Sequence, residues 1–364
     1  MPLRPFTLFI GRNGSGKSSF IEALQWVQES LEKGLQTATE DRFRTFKDLR
    51  NQRTDRINLH LELGRGPNKI AYELTVVANP AGRPITRDER CWSGHGRGVT
   101  RFISSRRTTP RGPTVRFIRH GNPVREGDSL ALASISKTTG KGAERLRSFL
   151  RGAVFLRLSP TAMTDSVSLS RRARGALLDE EGRRLPALLT SMTTSQRQWV
   201  SDQLSTIITD IEGVRVVRTE SERGYFAAKE RMISRGGSAA YDIPAWMLSE
   251  GTRRLTALFS LLAIRPRPSL IVIEEIENGL DPWTLQQVLS ALKDAASDGV
   301  QVILTTHSPF LLDLVDVEDV IHVRRIKGDS AYTPISNYDD VIKYRGVVAP
   351  GAMYIAGYLK DLER

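Results

Sequence analysis

The chain begins its patterned region with a mainly apolar run at residues 6–10, which reads as a strand and leads directly into a glycine-rich turn. Beyond the turn, Phe20, Leu24, Val27 and Leu31 recur at three- and four-residue intervals, predicting a helix with one apolar face. Residues 37–53 are polar and charged, and read as a connector or surface helix. The period then changes to two. Ile57, Leu59, Leu61 and Leu63 alternate with polar residues, Gly64-Arg65-Gly66-Pro67-Asn68 supplies a turn, and Ile70, Tyr72, Leu74 and Val76 resume the alternation, which predicts a β-hairpin. A second hairpin is predicted at 115–118, turning through His120-Gly121-Asn122-Pro123. Helical patterns dominate 143–211, and from about Leu248 strands again alternate with helices. The middle therefore reads as an insertion into an α/β core. Neither a fixed-period repeat nor a sustained heptad is present, so long coiled-coil arms are not expected.

At 364 residues the chain is long enough to bury a large apolar interior without disulfides, and its single cysteine, Cys91, has no intramolecular partner. No amino-terminal stretch resembles a secretory signal, and the longest apolar runs, 255–264 and 270–273, fall short of the roughly 18 residues of a membrane span. A soluble, cytoplasmic protein is expected. Charge then adds a partner class. Lysine and arginine outnumber aspartate and glutamate 53 to 41, a formal charge of +12. Much of the excess lies at 83–125, where Arg83, Arg87, Arg90, Arg97, Arg101, Arg106, Arg107, Arg111, Arg116, Arg119 and Arg125 face only Asp88 and Glu89. The segment is either a site for a polyanion, DNA above all, or a solvated arginine-rich loop.

Four segments carry candidate chemistry. Gly11-Arg12-Asn13-Gly14-Ser15-Gly16-Lys17-Ser18, followed by Ser19, fits the phosphate-loop pattern in full, between a strand and a helix as that pattern requires. Its glycines let successive N–H groups turn inward onto phosphate oxygens, and the helix adds its positive end. Lys17 would reach the β- and γ-phosphates, and the Ser18 hydroxyl would ligate magnesium. A second apolar run, 270–273, ends in Glu274-Glu275. At the carboxyl end of a parallel strand these would lie beside the phosphate loop, Glu274 holding the metal through water and Glu275 polarising the attacking water. Paired glutamates also open solvated loops or cap helices, as Glu277 and Asn278 would allow. The strand at 300–304 ends at Thr305-Thr306-His307-Ser308-Pro309, where His307 is either a γ-phosphate sensor or a structural histidine. Finally, Ser249-Glu250-Gly251-Thr252 precedes an apolar-faced helix, so Ser249 is a helix cap, an anion contact, or both.

The order of phosphate loop, Ser-Glu-Gly-Thr, apolar strand with Glu-Glu, Leu280-Asp281-Pro282 and Thr-His-Ser-Pro resembles the ABC-type ATPases. Within them it is most similar to the bacterial group related to the RecF, chromosome-maintenance (SMC) and overcoming-lysogenization-defect (OLD) ATPases. Arg254, the 274–280 segment and Leu178-Asp179-Glu180-Glu181-Gly182-Arg183-Arg184-Leu185 support the narrower match. The resemblance implies an α/β P-loop NTPase whose mixed sheet is flanked by helices, with an inserted antiparallel β lobe and a helical lobe. On that basis 1–36 and 241–364 form the nucleotide-binding core, 37–142 the arginine-rich β lobe, and 143–240 the helical lobe leading to the Ser249 motif.

The same resemblance implies a homodimer, or a higher oligomer, in which each ATP lies between one phosphate loop and the partner's Ser249–Gly251 segment. Asp281 would communicate across that interface, Glu275, His307 and Lys17 would be catalytic, and ATP with Mg2+ would be the cofactors. Glu274 stands where many relatives use aspartate, Ile276 where proline is frequent, and no glutamine is identified as the usual metal sensor. Residues 308–364 lack an acidic metal constellation, Asp313, Asp316, Glu318 and Asp319 reading as a solvated turn. A DNA-directed repair or anti-phage or anti-plasmid ATPase with a nuclease or effector partner is therefore expected. An ATP-gated scaffold and a transporter's nucleotide-binding subunit are the alternatives.

Overall fold

The computed structural model describes all residues except 95–99, 110–111, 117–128, 136–140, 171–176, 221, 235–236 and 360–364. The chain forms two compact units, one made of 1–21 with 154–364 and the other of 22–153.

The first unit is organised by a six-stranded sheet. Its strands are β1 (Phe6–Ile10), β7 (Ala153–Leu156), β12 (Leu270–Ile273), β13 (Gln301–Thr306), β14 (Val320–Ile326) and β15 (Asp329–Pro334), in the order β15-β14-β1-β13-β12-β7. β1 is parallel to both β13 and β14, β12 is parallel to β13, and only β15 is shown antiparallel to its neighbour, β14. Every residue of β1, β7 and β12 is buried, which is why their sequences are almost wholly apolar. Parallel pairing brings the carboxyl ends of β1, β12 and β13 to one edge, so the segments after Ile10, Ile273 and Thr306 meet there.

Helices α1 (Lys17–Lys33), α5 (Leu185–Ser191), α6 (Thr194–Ile207), α7 (Glu250–Ala263) and α8 (Pro282–Ser297) follow the expected amphipathic logic, the inward faces of α5 to α8 joining one core with the sheet. Short helices α9 (Phe310–Asp313), α10 (Asp339–Lys343) and α11 (Pro350–Ala356) complete the unit. A second sheet lies within it, formed by β8 (Val167–Ser168), β9 (Ile211–Arg218), β10 (Arg223–Ser234) and β11 (Gly237–Pro244), with β10 pairing antiparallel to the other three. The helical reading of 143–240 is therefore corrected: among the described residues α4 (Lys141–Arg151), α5 and α6 stand there beside β7 to β11.

The second unit takes the rest of α1, then α2 (Leu35–Phe43), α3 (Phe46–Leu49), α4 (Lys141–Arg151) and an antiparallel meander. The meander runs β2 (Arg56–Leu63), β3 (Ile70–Ala78), β4 (Pro84–Ser93), β5 (Thr100–Thr109) and β6 (Gly112–Arg116) in sequence order. The first hairpin has the expected register, with Ile57 opposite Val76, Leu59 opposite Leu74 and Leu63 opposite Ile70. The turn expected at 120–123 lies outside the described residues. The units divide at 21/22 and 153/154, not at 36/37 and 142/143 as the sequence reading placed the lobe. The cause is packing. Trp26, Val27 and Leu31 of α1 and Leu146 and Leu150 of α4 share the core of Tyr72, Leu74 and Val76.

Candidate functional site

The loop between β1 and α1 is shaped by its glycines. Gly14 and Gly16 have φ of 75° and 107°, conformations that side chains rarely adopt. A Cβ on Gly16 would sit 1.9 Å from the Ser330 Oγ, so β15 closes against the loop and allows only hydrogen there. The Tyr332 hydroxyl donates to the Gly16 carbonyl at 2.8 Å, and the Tyr332 ring packs with Phe9 and Phe20. Ser15 is buried, yet its hydroxyl has no protein partner. That orphaned group fits an incoming phosphate oxygen.

Lys17 is only 6% exposed. Its Nζ donates to the Gly11 carbonyl at 2.6 Å and the Arg12 carbonyl at 3.3 Å, and lies 3.4 Å from His307 Nδ1. Burial lowers its pKa, against the opposing pull of Glu275, Glu277 and Glu274. At the end of β12, the Glu274 carboxylate accepts from the Ser18 hydroxyl at 2.6 Å on one oxygen and pairs with Arg157 at 2.7 Å on the other. A hydroxyl and a carboxylate side by side suit a hard cation that takes its remaining ligands from phosphate and water. Among the described residues no group of three or more histidine, cysteine, aspartate or glutamate side chains is placed to hold a metal. Ser18 and Glu274 would thus hold magnesium only together with a nucleotide.

Glu275 adopts φ of 51°, the left-handed region, which costs a non-glycine residue about 1 kcal/mol or more. The strain is held by its N–H donating to Thr305 Oγ1 at 3.0 Å and by Asn278 Nδ2 donating to its carboxylate at 2.6 Å. Its other oxygen lies 3.7 Å from His307 Nε2. The His307 N–H donates to Glu277 at 2.8 Å, fixing the end of β13 against the segment after β12. Lys17, His307 and Glu275, far apart in sequence, therefore form one line at the sheet's edge. Arg12, Asn13 and Ser19 are exposed around the loop.

Ser249 and Asp281 lie elsewhere in the unit. Ser249 caps α7, accepting from the Thr252 N–H at 3.1 Å, and Asp281 caps α8, accepting from the Trp283 and Thr284 N–H groups at 3.0 Å each. The Thr284 hydroxyl, then the backbone amides, hold the Asp281 carboxyl below its usual pKa. The two caps are neighbours, since a Cβ on Gly251 would lie 2.8 Å from the Gly279 carbonyl. The hydrogen bonds of Ser249 and Asp281 all run within their own helix starts, and none reaches the phosphate loop. The acidic cluster before β14 is used in tethers: Asp313 accepts from the Gly351 N–H, and Glu318 and Asp319 pair with Arg345 and Arg4. Sequence reasoning missed Arg157. Its only signal was a charged residue immediately after the apolar run of β7.

This sheet, with its loop and strand-end carboxylates, has the α/β fold of a P-loop ATPase of the ABC type. Residues 6–313 match the family described as "AAA domain, putative AbiEii toxin, Type IV TA system", and the chain belongs to it. Among curated proteins it is 30% identical over 121 residues to a "Putative ABC transporter ATP-binding protein" of Methanothermobacter marburgensis, covering 32% of this chain and 41% of that one. It is 28% identical over 137 residues to the "Retron Vc95 probable ATPase" of Vibrio cholerae, covering 34% and 24%. The matches thus span less than half the length of either relative. A chromosome-maintenance head, solved bound to the C-winged helix domain of ScpA, superposes with a TM-score of 0.50 at 17% identity, over 92% of this chain and 91% of that one. Among the described residues no helix is long and apolar enough to cross a membrane.

Proposed function

We propose that this chain binds ATP with Mg2+ and hydrolyses it between two head-to-tail copies, as the ATPase subunit of a DNA-directed repair or defence system with a nuclease or effector partner. One observation carries the reading. Lys17, His307 and Glu275 converge on a loop whose Ser15 hydroxyl has no partner, while Ser249 and Asp281 make no bond to that loop in their own protomer. A half-site of this kind needs a second face, and the helix start at Ser249 and Gly251 supplies one from a partner copy. In this reading the loop amides, Ser15 and Lys17 grip the phosphates, and Ser18 and Glu274 hold the cation, which when bound supplies positive charge to them. Glu275 orients and polarises the attacking water, and His307 contacts the γ-phosphate. The strained backbone at Glu275 supports a functional assignment for that carboxylate.

The family description and the retron relative support the defence setting. DNA binding rests on the arginine-rich segment. Its described members include Arg90, already paired with Asp88 and Glu73, and the side chains from Arg97 onward lie outside the described residues. The name of the Methanothermobacter relative favours a second reading, a transporter's nucleotide-binding subunit.

Mixing two inactive variants tests the dimer. Lys17→Ala removes the phosphate grip and Ser249→Arg the opposing face, so an equimolar mixture should recover about a quarter of the wild-type rate, half the pairs each carrying one intact site of two. No recovery would overturn the head-to-tail arrangement. The same assay with duplex DNA should show stimulation, whereas a flat response would favour the transporter or scaffold.

A further inference from the structure

Arg157 touches the carboxylate proposed to hold the metal. It follows β7, whose last carbonyl, at Leu156, accepts from the Glu274 N–H at 2.9 Å, so the two backbones are locked side by side. The guanidinium then meets Glu274 Oε1 at 2.7 Å while Ser18 holds Oε2. The Glu274 side chain is 10% exposed and the Arg157 side chain 54%, so the carboxylate is set into the site and the arginine meets it from the solvent side. The Arg157 backbone is itself anchored. Its N–H donates to the Glu180 carbonyl at 2.8 Å and the Ser159 N–H to the Glu181 carbonyl at 3.1 Å, which docks the Leu178-to-Leu185 segment onto the chain after β7. A Cβ on Gly182 in that segment would lie 2.6 Å from Met163 Cε, so the segment packs tightly against its own unit. This gives the segment a role that the sequence alone did not supply.

Two cations cannot share one carboxylate at close range without repelling each other. We propose that Arg157 competes with the divalent cation for Glu274, so that loading the metal requires the guanidinium to leave the carboxylate. Arg157 is then a positioning residue. In the metal-free site it keeps Glu274 from repelling the incoming phosphates, and it gives way when the metal arrives. This inference rests on the reading of Glu274 as a metal-holding residue.

The test measures how much a metal strengthens nucleotide binding. The affinity of the full-length protein for adenylyl imidodiphosphate is determined by calorimetry in Mn2+ and again in EDTA, and the ratio of the two is compared among variants. Arg157→Gln should raise that ratio about two- to fivefold, the range expected for removing one partly exposed ion pair. Arg157→Lys should stay near the wild type. Glu274→Gln should lower the ratio, and adding Arg157→Gln to it should then have no effect, because the contested carboxylate is gone. An unchanged or lowered ratio in Arg157→Gln, with the Glu274→Gln ratio lowered, would overturn the competition alone. A ratio indifferent to Glu274→Gln would instead remove Glu274 from the metal site, and this inference with it. If Arg157 merely supported the fold, its loss would weaken binding equally in both conditions and leave the ratio unmoved.

Discussion

Among the described residues, each unit buries one lysine or carboxylate side chain, and the two are treated in opposite ways. Glu89, on β4 of the second unit, is fully buried, and its carboxylate accepts from the Ala131 N–H at 2.7 Å, the Leu132 N–H at 2.9 Å and the Tyr72 hydroxyl at 3.0 Å. All three donors belong to ordered backbone or core, so the carboxylate staples the 131–134 turn to the sheet. Lys17 is nearly as buried, but its partners are carbonyls of its own loop and a histidine at 3.4 Å, contacts that a phosphate would replace with stronger, charge-assisted ones. Burial alone therefore does not separate structure from function. What separates them is whether the partners of the charge are complete or exchangeable.

The largest effect expected from this contrast is on Glu89. Replacing it with alanine leaves three buried donors without an acceptor, and at about 1–3 kcal/mol each the loss is on the order of 5 kcal/mol. Hydrogen exchange at the amides of β3 and β4 should accelerate accordingly, and protection kept at the wild-type level would remove the staple. Lys17→Ala should do the reverse. Two charge-assisted hydrogen bonds to phosphate, at roughly 1.5 kcal/mol each, amount to about a hundredfold loss of ATP affinity. Thermal stability should hold or rise, because a desolvated cation is removed. A Lys17→Ala protein that unfolds more readily yet still binds ATP would erase the contrast between the two residues.

How much of this was legible in the sequence varied with the kind of signal. The phosphate loop, the strands bearing Glu274 and His307, and the first hairpin rest on runs or alternations that one physical rule explains each. The β9–β11 sheet escaped notice because its pattern is broken. Phe226, Ala227 and Ala228 are consecutive buried residues, and the register slips between Lys229 and Glu230, so neither face alternates cleanly. The unit boundaries escaped because α1 is one continuous helix whose first turns serve the phosphate loop and whose later turns serve the second core. Arg157 was legible only as a charge after an apolar run, and Glu89 only as one of two carboxylates within an arginine-rich segment. Their meaning comes from partners distant in sequence, Glu274 in one case and Ala131 with Leu132 in the other.

The smallest effect is a dependence on pH, and it tests the same contrast. Burial, the leading cause, raises the Glu89 pKa against the pull of the Leu132 and Ala131 amides and the Tyr72 hydroxyl. Above the ordinary carboxylate range, near 4.3, the unfolded chain has lost this proton while the folded chain keeps it. The folded state then binds more protons, so the contribution of Glu89 to stability declines as pH rises, by at most about 1.4 kcal/mol per pH unit, until the folded carboxyl itself ionises. Glu89→Gln carries no such proton. Unfolding free energies of the two proteins, measured from pH 4 upward, should therefore diverge in favour of the variant. Lys17 has the opposite sign and a different window. Its lowered pKa means that the unfolded chain binds the extra proton, so that residue's burden is relieved as pH climbs toward 10.5. A wild-type advantage over Glu89→Gln that grew with pH would show a carboxylate held ionised by its three donors, and would place Glu89 with the charges whose partners outweigh their burial.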